Sequence, residues 1–340
     1  MAKQFPVGKL PADLLAELLS RVKHTDPRII VGPGVGVDAA VLDMGERYLV
    51  AKTDPITFAT DQVGWYAVNV NANDVACMGG TPRWFLATLL MPENQANTEL
   101  ATEVFDQISR ACEALGVSLV GGHTEITFGI DRSIVMGCML GEVDRQKLVT
   151  PGGTQVGDVV ILAGAIPIEA TAIIAREKAS ELAGKFDTEF LSRCANFLIE
   201  PGISVVAAAQ TAQASGEVHA MHDLTEGGLA TALWELAQSS ETSLEIQESA
   251  IHVAPEGRIL CEHYGLNPLS CIASGALLVA VAPDSANEIV TALIDRGISS
   301  ATIGAVTDRG DPSVTLISAS KKRRLDLPER DEITKIFETD

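Results

Sequence analysis

Apolar positions recur every three to four residues through "PADLLAELLSRV", which predicts a short amphipathic helix over about residues 11–22 with Pro11 near its start. Two β-rich runs follow, "AAVLDM" and "RYLVAKT", and their junction through "GE" reads as a hairpin. A helix over about 61–79 then leads through "GGTP" into "RWFLATLLM", a buried strand by its length and flanks. A second helix, about 97–115, ends at Gly116 before the strand "VSLVGG", and "RSIVMGCMLGEV" makes a further long strand. This mixed order predicts an α+β sheet with helices on one face. The short strands over about 39–53 and 84–91 would leave exposed edges unless a second chain paired with them, so a homodimer is expected.

The turn-rich "TPGGTQVGD" near residue 150 predicts a boundary between domains 1–150 and 151–340. Beyond it come the strand "VVILAG", helices at about 167–182, 187–199 and 202–214, and "VHAMHDLTEGGLATALWELAQ", which reads as strand, loop and helix. A helix near 255–265, the strand "GALLVAVA", a helix at 285–296 and the strand "SATIGAV" complete an α/β pattern. The final "KKRRLDLPERDEITKIFETD" predicts a solvated tail with a last helical turn.

Composition narrows the function. At 340 residues and 46% hydrophobic content the chain is long enough for two globular domains. A formal net charge of −20 argues against binding nucleic acid. The start has no apolar signal core, and no stretch reaches the roughly 20 apolar residues of a membrane span, so a cytoplasmic protein without membrane partners is expected. Six scattered cysteines form no CxxC pair and read as buried, reduced thiols.

Within the first long helix, "NVNANDVACMGG" places Asn69, Asn71, Asn73 and Asp74 among core-forming residues, although short polar side chains compete with helix backbone and a buried unpaired carboxylate is costly. Asp38, Asp54 and Asp223 share its setting, each beside small or polar residues where a strand or helix ends. Clustered carboxylates repel unless a cation sits among them, and Mg²⁺ takes oxygen ligands. A metal would account for Asp74, with Asn71 or Asn73 as neutral partners. Any one of these aspartates alone is as readily a turn former or a helix cap.

Two Gly-rich stretches, "GPGVG" with Gly34 and Gly36 and "GGHTE" at 121–125, offer backbone amides to phosphates. No GxxxxGK[ST] occurs, and the GxGxG run opens onto a strand rather than a helix, which disfavours a P-loop and a dinucleotide fold. His123 and His222 adjoin acidic motifs without a serine or cysteine nucleophile pattern. Lys9 and Lys52 are cations that could neutralise phosphate charge.

Taken in order, "GPGVGVDAAVLD", "VAKTD", "NVNANDVACMGGTPRW", "LVGGHTEIT" and "HDLTEGGLATALWELA" resemble the motif series of the AIR synthetase-like (PurM-like) superfamily. That superfamily includes aminoimidazole ribonucleotide synthetase, selenophosphate synthetase, thiamine-monophosphate kinase and the hydrogenase maturation protein HypE. The resemblance implies a two-domain fold whose N-terminal sheet pairs with a second subunit's to close a barrel, with ATP and Mg²⁺ in the cleft facing the C-terminal domain. It implies that Asp38, Asp54, Asp74 and Asp223 ligate metal, and that Gly121, Gly122, His123, Thr124 and Glu125 form a nucleotide-contacting loop. It further implies an ATP-dependent phosphoryl transfer to an oxygen or phosphate acceptor. The catalytic residues themselves are not identified by it, and Lys9 and His123 are the candidates the sequence offers.

Whole-chain similarity is nearest to HypE-like, AIR synthase-related proteins. Departures qualify the chemistry. Val37 stands where the superfamily's first aspartate pair has its other carboxylate, "TEGG" replaces "TRGG", and the chain ends in "FETD" without the Pro-Arg-x-Cys tail that HypE proteins carry. A thiamine-monophosphate kinase-like or hydrogenase-maturation activity is the alternative within enzymes. A nucleotide-binding regulatory protein with reduced turnover is the alternative outside them.

Overall fold

Residues 134–144 alternate strictly, with Val135, Gly137, Met139, Gly141 and Val143 buried between less buried neighbours, so one face of this strand meets a core. The computed structural model describes residues 5, 10–23, 26–57, 59, 61–319 and 321–338. Its first half contains α1 (Ala12–Leu19), β1 (Ile29–Val31), β2 (Ala40–Asp43), β3 (Arg47–Ile56), α2 (Val63–Cys77), β4 (Thr81–Pro92), α3 (Thr98–Leu115), β5 (Ser118–Thr127) and β6 (Ile134–Asp144). Six strands form one mixed sheet in the order β1-β2-β3-β6-β4-β5. The hairpin expected from "AAVLDM" and "RYLVAKT" is present as antiparallel β2 and β3. Asn97 caps α3 by accepting from the Leu100 amide at 2.8 Å, and Gly116 ends it in the left-handed region at φ 65°.

The second half contains β7 (Val159–Ala163), α4 (Ile168–Glu177), α5 (Ala179–Leu182), α6 (Thr188–Asn196), α7 (Val206–Ser215), β8 (Val218–Asp223), α8 (Gly228–Ser240), β9 (Thr242–Gln247), α9 (Pro255–Tyr264), β10 (Leu277–Val281), α10 (Ala286–Asp295), β11 (Ser300–Arg309), β12 (Ser313–Ser318) and β13 (Lys321–Arg324). Its seven-stranded sheet runs β13-β12-β9-β11-β7-β10-β8. The apolar runs of β7 and β10 are explained by burial on both faces. Ile161, Leu277 and Val279 join one core, whereas Val160, Leu162, Leu278 and Ala280 join another. The first of these cores continues through α2 to Val50 and Phe85, so the two halves share apolar packing.

Three expectations are corrected. The strands over 39–53 and 84–91 are not edges, because β2, β3 and β4 lie inside the sheet; its edges are the three-residue β1 and the ten-residue, almost wholly exposed β5. The tail has its last helical turn, a 3-10 helix over Glu332–Phe337, but is not simply solvated: "KKRR" forms β13 by pairing with β12, and the helix's cap Asp331 and its Ile333 and Ile336 are buried. Backbone pairing is indifferent to the charge of outward side chains, which is why a basic run can be an edge strand. "GGHTE" is not a loop but lies inside β5, paired in parallel with β4. Among the described residues no single helix is long and apolar enough to cross a membrane.

Candidate active site

Each polar residue of α2 solves its burial differently. Asn69 and Asn71 donate back to the carbonyls of Trp65 and Ala67, at 2.9 and 2.8 Å, the i−4 bonding that lets a short amide sit in a helix. Asn71 also donates to the Asp54 carbonyl at 3.3 Å, which ties α2 to β3. Its Oδ1 is buried without a hydrogen-bond partner among the described residues. Asn73 turns toward the second half, donating to Ile203 O and accepting from Val205 N, both at 2.8 Å. Its amide thereby bonds backbone at both ends and ties α2 to the second half.

Asp74 is 4% exposed and meets the Lys52 ammonium at 3.1 Å. Lys52 and Asp54 lie two apart on β3 and so share a face, with their charged groups 3.5 Å apart. Burial drives the Asp74 carboxyl well above its ordinary range; Lys52 opposes this, and Asp223, Asp38 and Asp54 add to it. Burial disfavours the Lys52 charge, but Asp74 and Asp54 more than offset that and hold its pKa above the ordinary lysine value.

From the second sheet, the end of β8 delivers His222 and Asp223. Asp38, His222 and Asp223 are all buried and bring one ligand atom each within 4.8 Å of the others. His222 Nδ1 stands 3.0 Å from Asp38 Oδ1, and its Nε2 stands 2.8 Å from Glu235 Oε2 on α8. Burial works against charge on this imidazole, yet the two flanking carboxylates leave its pKa well above the usual histidine value. Gly36 closes the same corner: a Cβ there would stand 2.7 Å from Ser239 Oγ on α8. This gives Gly36 a packing role against the second half, and Gly34 sits half-buried in the same turn.

The structure therefore brings Asp38, Asp54, Asp74 and Asp223 to one junction between the sheets. Glu235 joins them through His222, a residue that sequence reasoning missed because it sits in an apolar helical pattern. Among the described residues, five carboxylates gather here around Lys52 and His222. That excess of oxygen donors, with the unpartnered Asn71 Oδ1 beside it, fits a hard divalent cation.

The chain matches the AIR synthase related protein N-terminal domain over residues 36–143 and the corresponding C-terminal domain over residues 155–317. It belongs to the AIR synthase related family. Among curated members, it is 27% identical to a putative hydrogenase expression/formation protein of Methanocaldococcus jannaschii, with 97% of each chain covered. It is 31% identical to the carbamoyl dehydratase HypE of Rhodobacter capsulatus over 85% of this chain and 83% of that one. A thiamine-monophosphate kinase of Aquifex aeolicus is 26% identical over 69% of this chain and 75% of that one. The fold matches a crystal structure of hydrogenase maturation protein HypE in complex with ATP, with a TM-score of 0.72 at 21% identity over 95% and 92% of the two chains.

In this AIR synthase related chain, the remaining candidate residues lie away from the carboxylates but in register with them. Asp54 pairs with Gly137, Gly137 with Ala87, and Ala87 with Gly122. Three strand spacings, about 14 Å, thus separate Asp54 from Gly122 along one row of the sheet. Gly122 has φ 146°, and a Cβ there would come within 1.9 Å of the Ala87 carbonyl oxygen. Only glycine fits. His123 and Glu125 are exposed and 3.4 Å apart, with Gly121 and Thr124 beside them on the open edge. Lys9 lies outside the described residues.

Proposed function

We propose that this AIR synthase related protein is a Mg²⁺-dependent enzyme that transfers the γ-phosphoryl group of ATP to a small acceptor. The observation that carries the reading is the buried convergence of Asp38 from the turn before β2, Asp74 from α2 and Asp223 from the end of β8, with Asp54 at its margin. Relatives named as a kinase and a dehydratase, and a fold shared with an ATP complex, support the nucleotide. When bound, the cation would neutralise phosphate charge and orient the transferring group.

The chain's own residues do the rest. Asp38, Asp54, Asp74 and Asp223 hold the cation, and Asn71 Oδ1 offers a neutral oxygen. Lys52 keeps Asp54 and Asp74 oriented and supplies positive charge where the phosphates converge. His222, clamped by Glu235, fixes the direction of the Asp38 carboxylate. The row from Asp54 to Gly122 leads the nucleotide toward Gly121, Gly122, His123, Thr124 and Glu125 on β5.

Two subunits are part of the reading. The β5 edge is exposed along nearly its whole length and carries outward Val120, Ile126 and, just beyond it, Phe128 at 81% exposure. Covering it with a second copy would remove an open edge. All six cysteines are free, which suits a reducing cytoplasm. Val37, in place of an acidic neighbour to Asp38, favours a second reading: a nucleotide-binding protein with little turnover.

Thermal melts with Mg²⁺-ATP, with ATP plus chelator, and with neither test the proposal, alongside ADP release. Stabilisation that requires Mg²⁺, about 2.7 kcal/mol at a hundredfold excess over Kd, is expected. A shift with no ADP release from any acceptor favours the second reading, and no shift at all refutes both.

A further inference from the structure

A cavity of about 50 Å³, whose lining includes Asp54, Val70, Ile173 and Ile272, adjoins a cleft of about 1410 Å³ that shares Asp54, Pro55, Thr57 and Glu226 with it. Three polar side chains in its wall lack a role so far. Tyr66, 2% exposed on α2, has a buried hydroxyl with no hydrogen-bond partner among the described residues. Glu169, 4% exposed in the first turn of α4, accepts at Oε2 from the Ser274 amide at 3.2 Å. Ser274 itself lines the same space.

Charge defines what can enter. The described lining includes Asp54, Glu169 and Glu226 and contains no lysine or arginine. Glu226 and Asp331 also face Glu169 from the loop before α8 and the closing 3-10 helix, while Asp61, Glu177 and Arg176 surround Tyr66. Within the described lining a phosphate would meet three carboxylates and no cation, and the cations beside Asp54 and Tyr66 are already paired, Lys52 with Asp54 and Asp74 and Arg176 with Asp61. A neutral head group would instead find an unmet tyrosine hydroxyl and a carboxyl.

We propose that this cavity is the acceptor subsite, that it takes an uncharged, proton-bearing head group rather than a phosphate, and that Glu169 accepts the proton released as phosphoryl transfer proceeds. The inference rests on the phosphoryl-transfer reading above. In the step, a lone pair on the head-group oxygen forms the bond to the γ-phosphorus, and the bond from that phosphorus to the bridging oxygen breaks, its electron pair leaving on ADP. The head group's O–H bond breaks and its proton passes to the Glu169 carboxylate. Tyr66 hydrogen-bonds the head group and orients it.

Burial raises the Glu169 carboxyl to about 8, against the pull of its Ser274 hydrogen bonds and with Glu226 and Asp331 adding to the rise. A base of that pKa gains about tenfold in its active form between pH 7 and pH 9.

The test is ADP release from Mg²⁺-ATP by the full chain, first with water as the sole acceptor, then with a panel of neutral alcohols and a matched panel of phosphomonoesters. Neutral compounds should stimulate release, with a rise of about tenfold from pH 7 to pH 9. Glu169→Gln, which keeps an oxygen for the Ser274 amide, should lose that rise while retaining the Mg²⁺-ATP thermal shift, and Glu169→Asp should restore a pH-dependent limb at a lower rate. Tyr66→Phe should raise KM for the neutral acceptor and leave the limb in place, which keeps the test decisive should the glutamate variants fold poorly. Stimulation by phosphomonoesters alone, no stimulation by any neutral compound, or an unchanged limb in Glu169→Gln overturns the inference while the nucleotide shift stands. Loss of the shift in wild type would overturn the phosphoryl-transfer reading and this inference together.

Discussion

The Lys52 ammonium stands 3.1 Å from the Asp74 carboxylate, joining β3 to its covering helix α2 beside Asp54, with Asp38 and Asp223 near enough to act on the Asp74 charge. Removing one member of a buried pair leaves the other uncompensated. Lys52→Met should therefore lower stability by about 3 kcal/mol in urea titrations, and Lys52→Met with Asp74→Asn should recover part of it. Asp74→Asn alone should abolish the Mg²⁺-dependent nucleotide shift. An additive cycle would deny the coupling.

Asn73 predicts the opposite pattern. Its side chain is wholly buried and serves two backbone groups of the second half. Asn73→Ala strands both, at about 1–3 kcal/mol each, and should depress the melting temperature while the Mg²⁺-ATP shift survives. A variant of full stability that no longer binds nucleotide would place Asn73 at the metal site.

Gly122→Ala tests the row across the sheet. The added methyl meets the Ala87 carbonyl, so β4 and β5 must part locally. Reduced amide-exchange protection along residues 118–127, with weaker nucleotide binding, is the expected result.

Light scattering should give twice the 35.9 kDa chain mass. Ile126→Lys, on the exposed β5 edge, should yield a folded monomer. A wild-type monomer at micromolar concentration would contradict the dimer.

The raised Glu169 pKa fixes the sign of a pH effect on stability. Its folded-state value of about 8 lies above the ordinary glutamate value of 4.5. Its contribution is therefore complete below about pH 4.5 and lost as pH rises toward 8, a change of a few kcal/mol in order of magnitude. Relative to wild type, Glu169→Gln should gain stability steadily from pH 5 to pH 8 and no further above pH 9.

The hairpin of β2 and β3, the helix α3 with its Asn97 and Gly116 ends, and the β7 and β10 cores were legible because their signals are local. "TSLEIQ" and "SVTLIS" alternate as half-buried strands do, but each is only six residues long and is paired by strands distant in sequence, and "KKRR" hides an edge strand behind its charge. The glycines of "GGHTE" suggested a loop where close approach to Ala87 was the cause. In the site, the four aspartates stood out against small or polar neighbours. Glu235 and Glu169 did not, since each sits in an apolar helical pattern and only residues distant in sequence reveal its setting.

The Asp38–His222 contact spans 184 positions of sequence. Contacts of such separation form late, because the loop between them must close before they contribute. During synthesis Asp38, Asp54 and Asp74 leave the ribosome long before β8 supplies their counterpart, so the nascent first half must tolerate a polar helix face that has nothing to dock on. Competence for nucleotide would then mark completed folding of the whole chain, and a chaperone or protease scanning for unfinished protein would find its target in that interval.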